Sequence, residues 1–397
     1  MATLALAGLR VLDVTQVMAG PFCSMLLADM GADVVKIEKP NGGDDSRRMG
    51  PPFIGGESAA FLAMNRNKRS LALDLKQAEG QALFRRLAAQ VDVVVENFRP
   101  GTLEALGLGY AALFSDHPEL IYCAISGYGQ TGPYCEHGGF DLVAQGMSGL
   151  MSVTGHPEEP PVKVGVPITD LNAGMYAAYG VLCAYIHRLR TGQGQLVDTS
   201  LLEGGIAYTV WESAMYFATG VTPPPMGSAH RLAAPYQAFR TADSYLNLGA
   251  ANQANWEKLC RVLERPDLLV DPRFRDNPSR TTHTVELALE LEQVFATRPT
   301  AKWLAQLDAA GVPAGPLYDI PAVYANPQVQ ARQMMVEIEH PTAGRVKNIG
   351  IPVKLSETPG VIRRPAPTLG QHTDEVLSEF GLSQAEIAEL HIRQVVA

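Results

Sequence analysis

The alternation of short apolar runs with helix-patterned stretches constrains this chain more than any other feature. Leu9–Val14 reads as a strand, and Ala19-Gly20-Pro21 opens a helix carrying Met25, Leu26, Leu27 and Met30. Gly31 closes that helix. Asp33–Glu38 is the next strand, Ser70–Leu75 another, and Gln77–Ala89 an amphipathic helix. Val91–Val95 and Leu120–Ile125 read as buried strands, and Leu196–Thr199 follows the Gly-rich turn 191–195. Strands separated by helices need crossover connections, so the pattern predicts βαβ units, a parallel sheet and an α/β fold. Ligands of such sheets sit in the loops beyond the carboxyl ends of the strands. The loops after these runs are therefore where chemistry is sought.

Further along, Asp170–Leu189 reads as a long, largely apolar helix, and Pro223-Pro224-Pro225 is a strong breaker. Residues 226–325 change character, with a strand pair near Ala238–Arg240 and Ser244–Leu248. The helices Trp256–Leu263, Val285–Ala296 and Ala301–Ala310 follow. This reads as a second, smaller α+β domain. The tail from Gln328 carries the β-like pieces Met335–Glu339 and Val346–Ile349, then a helix with Ser383 and Glu386 as a capping box. A length of 397 residues agrees with two or three domains.

Composition removes several classes. The net charge of −9 argues against a nucleic-acid-coating protein. Residues 36–99 reverse it locally, with 11 Lys+Arg against 8 Asp+Glu, so a small anionic ligand is allowed. The longest apolar run, Gly174–Ile186, is too short to span a bilayer. The start, MATLALAGLRVLDV, lacks a basic n-region and is not expected to be a secretory signal. The five cysteines are odd in number and widely spaced, which suits reduced intracellular thiols rather than disulfides or a zinc site. There is no GxxxxGK[ST], HExxH or GxSxG motif. Gly107-Leu108-Gly109-Tyr110-Ala111-Ala112 matches GxGxxA formally. A helical stretch precedes it where the dinucleotide fingerprint needs a strand, so it reads as a glycine-capped helix end.

Five stretches could carry chemistry. Asp170 precedes a long helix, where a carboxylate can serve as a cap or, held ionised by backbone N–H groups, as a nucleophile. Asn65–Ser70, with Asn67, Lys68 and Arg69, is either a phosphate-binding rim or a solvated loop. Val95–Gly101, with Asn97 and Arg99, is either a sheet-edge ligand site or a polar turn. Leu248–Gln253, with Gly249 and Ala250, is either a backbone oxyanion hole or a tight loop. Gly127–Pro133 either shapes a site or is a surface turn.

Together these stretches resemble the class III CoA-transferases, the formyl-CoA transferase and carnitine CoA-transferase family. The resemblance spans essentially the whole chain, through LAGLRVLDVTQVMAGPFCSMLLADMGADVVKIEKPNGGDDSR, NRNKRSLALDLK, VENFRPG, SGYGQTGP, DLNAGMYAAYGVL, TGQGQLVDTSLLE, GVPAGPLYDI and PTLGQHTDEVL. GDDSRRMGPPFIGGES, YCAISGYGQTGP, SGLMSVTG and GSAHRLAAPYQAF resemble most the succinyl-CoA:glutarate-type members that use dicarboxylates.

The resemblance implies a Rossmann-like large domain made from 1–222 and 328–397, with a small inserted domain, 223–327. It implies an interlocked homodimer in the cytoplasm or an organelle matrix. The co-substrate is coenzyme A, as acyl-CoA, beside a small carboxylic acid, with no metal, nucleic acid or membrane partner. The family nucleophile falls on Asp170, with Gly174 completing D-x-x-x-G. It passes the acyl group through a mixed anhydride and an aspartyl-CoA thioester. Gly249 and Ala250 are the expected oxyanion donors. Lys39, Asn67, Lys68, Arg69, Leu73, Lys76, Asn97 and Arg99 are expected at CoA. Arg47, Arg48, His230 and Arg231 are expected partners for an acceptor's free carboxylate. Met18 stands where formyl-CoA transferases have Gln, and LGAAN replaces their glycine run, which speaks against oxalate. Gly139-Phe140-Asp141 lacks the His of the family's racemases. The alternatives are the same chemistry with itaconate, mesaconate, citramalate or oxalate as acceptor, or an acyl-CoA racemase.

Overall fold

The computed structural model describes residues 4–397. Met1–Thr3, part of the stretch weighed as a leader, lie outside the described residues. The chain forms two compact units. The first comprises residues 1–151, 163–220 and 327–397, and the second 152–162 and 221–326. The segment 152–162 thus packs with the second unit, where no sequence signal placed it.

The first unit is built on a six-stranded parallel sheet. Its strands are β1 (Arg10–Asp13), β2 (Asp33–Glu38), β3 (Lys68–Ala72), β4 (Val93–Glu96), β5 (Ile121–Ser126) and β6 (Leu196–Ser200). They lie in the order β3-β2-β1-β4-β5-β6, each pair parallel. That order reverses direction between β1 and β4. The loops leaving their carboxyl ends splay apart there and open a crevice.

The strands read as apolar runs because both faces are covered. Leu12, Val35 and Val94 join one core with Phe84, Leu87 and Val376. Their neighbours Val11, Val34, Val93 and Val95 join the other, with Leu27, Ala173 and Ala177. Helix α1 (Ala19–Asp29) and the 24-residue helix Ile168–Thr191 pack side by side on that second face. Gly174 permits the approach, since a Cβ there would lie 2.4 Å from the Ala19 carbonyl oxygen. The capping box of the last helix forms as expected, Ser383 with Glu386. The GxGxxA stretch is two glycine-bounded helix ends, with Gly107 at φ 68° and Gly109 capping Tyr110–Asp116.

The second unit has a three-stranded antiparallel sheet, Ala314–Pro316, Tyr245–Gly249 and Tyr236–Arg240 in that order. Trp256, Phe274, Phe295 and Trp303 fill its core. Among the described residues, no helix is long and apolar enough to cross a membrane.

Candidate functional site

The crevice between β1 and β4 opens into a cavity of about 410 Å³. Gln16, Val17 and Met18 from the loop after β1 line it, with Asn97 and Arg99 from the loop after β4. The end of β5 adds Ser126, the segment after it His137 and Phe140, and Asp170 completes the wall. A second cavity, about 230 Å³, shares Gln16 and Phe98 with the first and adds Glu38, Lys39, Leu73 and Lys76. Together they run across the carboxyl ends of β4, β1, β2 and β3.

Asp170 sits in the first turn of its helix rather than at the cap, which is Pro167. The cap role is taken from outside. Asp141 Oδ1 accepts from the backbone N–H of Thr169 at 3.0 Å and from its hydroxyl at 2.8 Å. Burial pushes the Asp170 carboxyl up to about 7, and the Asp141 charge pushes the same way. Both act against the ionised carboxylate expected from the helix terminus.

Asn97 lies between strand end and cavity. Its Oδ1 accepts from Gln16 N–H and its Nδ2 donates to Gln16 C=O, both at 2.8 Å. Arg99 is exposed, lies against Gly138, and makes no ion pair among the described residues. Lys39 pairs with Asp45 at 2.7 Å, but both ends are about half exposed, so the pair holds Lys39 weakly. Leu73 is buried beneath the second cavity, and Lys76 is exposed at its edge.

Other expected binding residues are engaged inside the fold. Lys68 is fully buried, donating to Asp13 at 3.0 Å, to Asn65 at 2.8 Å and to the Pro21 carbonyl. Arg69 is tied to Asp33, Glu375 and Glu379. Asn67 bonds Asp29 and the Val361 carbonyl. These three cannot form an exposed phosphate rim, because β3 carries Lys68 and Arg69 into the interior and Asn67, just before it, is buried on Asp29 and Val361. Arg47, expected to clamp a substrate carboxylate, is instead neutralised by Glu38 through two 2.7 Å bonds and stacks on Phe61. Arg48 pairs with Asp45.

In the second unit, the Gly249 N–H donates to the Pro313 carbonyl and the Ala250 N–H to that of Pro235, each at 2.9 Å. Neither has a free hydrogen for an oxyanion, so that assignment is also corrected. The His230 Nδ1 accepts from Leu232 N–H, and its ring lies 5.1 Å from Tyr236. Arg231 follows in the same half-buried turn.

Sequence reasoning missed Gln16, Val17, His137 and Phe140 as cavity residues. The available signal was positional, since the first and fourth strands of a doubly wound sheet flank its crevice. Reading it requires the strand order. Among the described residues, no group of three or more His, Cys, Asp or Glu is placed to hold a metal ion.

A parallel sheet of this order, with a carboxylate on a helix terminus at its crevice, suits an enzyme of acyl transfer. The chain belongs to the CoA-transferase family III, whose model matches residues 6–373. It is 41% identical to the Homo sapiens succinyl-CoA:glutarate CoA-transferase, over 94% of this chain and 85% of that protein. It is 42% identical to the succinate–glutarate CoA-transferase of Agrobacterium fabrum, over 94% of this chain and 95% of that one. A crystal structure of a CAIB/BAIF family protein from Brucella suis matches at TM-score 0.86 and 38% identity, over 96% and 100% of the two chains.

Proposed function

We propose that this CoA-transferase moves coenzyme A from succinyl-CoA to a dicarboxylic acid such as glutarate, with Asp170 as its nucleophile. The observation that carries the reading is the place of Asp170 on the wall of the crevice cavity. The names of the human and Agrobacterium relatives support the donor and acceptor.

Asp170, ionised, attacks the thioester carbonyl. The C–S bond breaks, leaving a mixed anhydride and the CoA thiolate. The thiolate attacks the aspartyl carbonyl, breaking the anhydride C–O bond and releasing succinate. The acceptor carboxylate then attacks this aspartyl thioester and expels the thiolate again. The thiolate attacks the acceptor's acyl carbon and frees Asp170. Each step exchanges one anion for another, so no net proton moves and the site needs no general acid. A carboxylate partly withdrawn from water is less shielded by solvent and attacks more readily, while excluded water protects the anhydride.

Lys39 and Lys76 are proposed for the CoA phosphates, Leu73 for its adenine end, and Asn97 for the thioester arm. His230 and Arg231 are proposed for the acceptor's free carboxylate. The second chain is proposed to be a copy of this one. Tyr179, Leu189, Val210, Trp211 and Phe217 are large apolar residues left exposed, Phe217 to 81%, and a homodimer would cover them. Five free cysteines suit the reducing interior of a cytoplasm or organelle matrix.

The test is a panel of glutarate, itaconate, mesaconate, citramalate and oxalate with succinyl-CoA, read by mass. Glutaryl-CoA is expected as the major product. Hydroxylamine quenching should place a hydroxamate on Asp170. No hydroxamate there, with Asp170→Ala still turning over, would sink the mechanism.

A further inference from the structure

Val17 lines the Asp170 cavity with its backbone at φ 68°. A β-branched side chain resists that left-handed conformation. Such a residue persists only where its surroundings over-determine it, and then more often at a functional wall than elsewhere.

The surroundings are side chains from three strand ends. Asp13, at the end of β1, accepts from the Thr15 N–H at 2.9 Å. Lys36, on β2, donates to the Thr15 carbonyl at 2.8 Å. Asn97, after β4, holds both the N–H and the carbonyl of Gln16. Asp44, in the loop after β2, accepts from the Val17 N–H at 3.0 Å. Lys36 and Asp44 are themselves an ion pair at 2.9 Å, and neither side chain has exposed surface. One buried pair therefore grips the two peptide groups that lead into Val17, by Thr15 C=O and by Val17 N–H.

Asp44 is not free to do otherwise. Its own N–H donates to Glu38, and its Oδ1 also accepts from the Ser46 N–H and hydroxyl at 2.8 Å. Neither residue lines the Asp170 cavity; Asp44 borders the second cavity, with its side chain fully buried.

We propose that Asp44, through its pair with Lys36, is a positioning residue for acyl transfer that imposes the left-handed Val17 turn on the wall facing Asp170. The inference rests on the reading of that cavity as the site of the reaction. Without Asp44, Val17 relaxes to a negative φ and the flanking peptides rotate. The wall formed by Gln16, Val17 and Met18 then no longer matches the reacting groups. The CoA groove keeps Lys39, Leu73 and Lys76 and loses at its border only the fully buried Asp44 side chain, so the loss falls on turnover more than on binding.

The test compares Asp44→Ala with the same change in a Val17→Gly background. Glycine adopts the left-handed turn without strain, and Asp13 and Asn97 still hold it. Asp44→Ala should lower kcat by about tenfold or more while the KM for succinyl-CoA stays within about threefold. Val17→Gly should then restore most of kcat. If Asp44→Ala does not fold, Asp44→Asn, which sets an N–H donor against Lys36 and so breaks the pair, carries the same comparison. Asp29→Asn weakens another buried ion pair, outside both cavities, and should lower stability while leaving kcat unchanged. An Asp44 variant that folds with kcat near the parent's, or a glycine that restores nothing, overturns the inference. Asp170→Ala run alongside separates the two levels. If it keeps turnover, the cavity reading fails and this inference with it. If it is inactive while Asp44→Ala is unimpaired, only the positioning role fails.

Discussion

Asp170 illustrates how one residue takes its properties from its neighbours. Its helix terminus favours a negative charge, yet burial and Asp141 oppose one, and the opposing pair prevails. Because attack requires the ionised form, log kcat/KM should rise with unit slope below pH about 7 and level above it. A flat profile from pH 5 to 8 would contradict this. Asp170→Asn should cut turnover by about a thousandfold or more.

The same shift makes a stability prediction. A carboxyl whose folded pKa is raised binds more protons folded than unfolded between pH about 4 and 7, so its ionisation erodes stability as pH rises through that window. Asp170→Asn removes this penalty. The variant should be more stable than the parent by about 4 kcal/mol at pH 8, with the gap closing toward pH 4. Urea denaturation at the two pH values checks it.

At the scale of elements, β3 is the instructive case. Its existence was legible, but it starts at Lys68, two residues before the apolar pattern suggests. Those two residues decide function. Outside the strand, Lys68 and Arg69 would be a basic rim; inside it, they neutralise Asp13, Asp33 and the Glu375 and Glu379 carboxylates of the helix Thr373–Glu379. Lys68→Met strands the buried Asp13 carboxylate and should cost about 3–5 kcal/mol in denaturant unfolding. Arg69→Met should also destabilise, yet leave the KM for acyl-CoA unchanged. A large rise in that KM, with stability intact, would restore the phosphate-binding role. Most other elements were legible to within two or three residues, because apolar periodicity follows directly from burial on two sheet faces.

At the scale of the whole molecule, the local basic excess has changed meaning. Of its cations, Lys36, Arg47, Arg66, Lys68 and Arg69 are paired within the fold. Lys39, Lys76 and Arg99 remain at the cavities. The apolar residues exposed on 175–189 and 206–217 make a second whole-molecule prediction. Light scattering should report a dimer, and a Trp211→Glu, Phe217→Glu double variant should shift it toward monomer with loss of activity. A fully active monomeric parent would refute the dimer.

The sequence by itself determined the alternating elements, the doubly wound class and the residue on which the chemistry is proposed to turn. The alternating elements follow from local pattern, since the apolar period is written along the chain, whereas the doubly wound layout and the role of Asp170 came from the resemblance to the family's motifs. Only the tertiary structure decided which charges are spent on one another and which face a ligand. It also decided that the Gly249 and Ala250 amides are occupied and that Val17 is held left-handed. Those outcomes depend on partners far apart in sequence, such as Asn97 with Gln16, or Arg69 with Glu379. An ion pair or hydrogen bond is set by distance in space, which the order of residues does not contain.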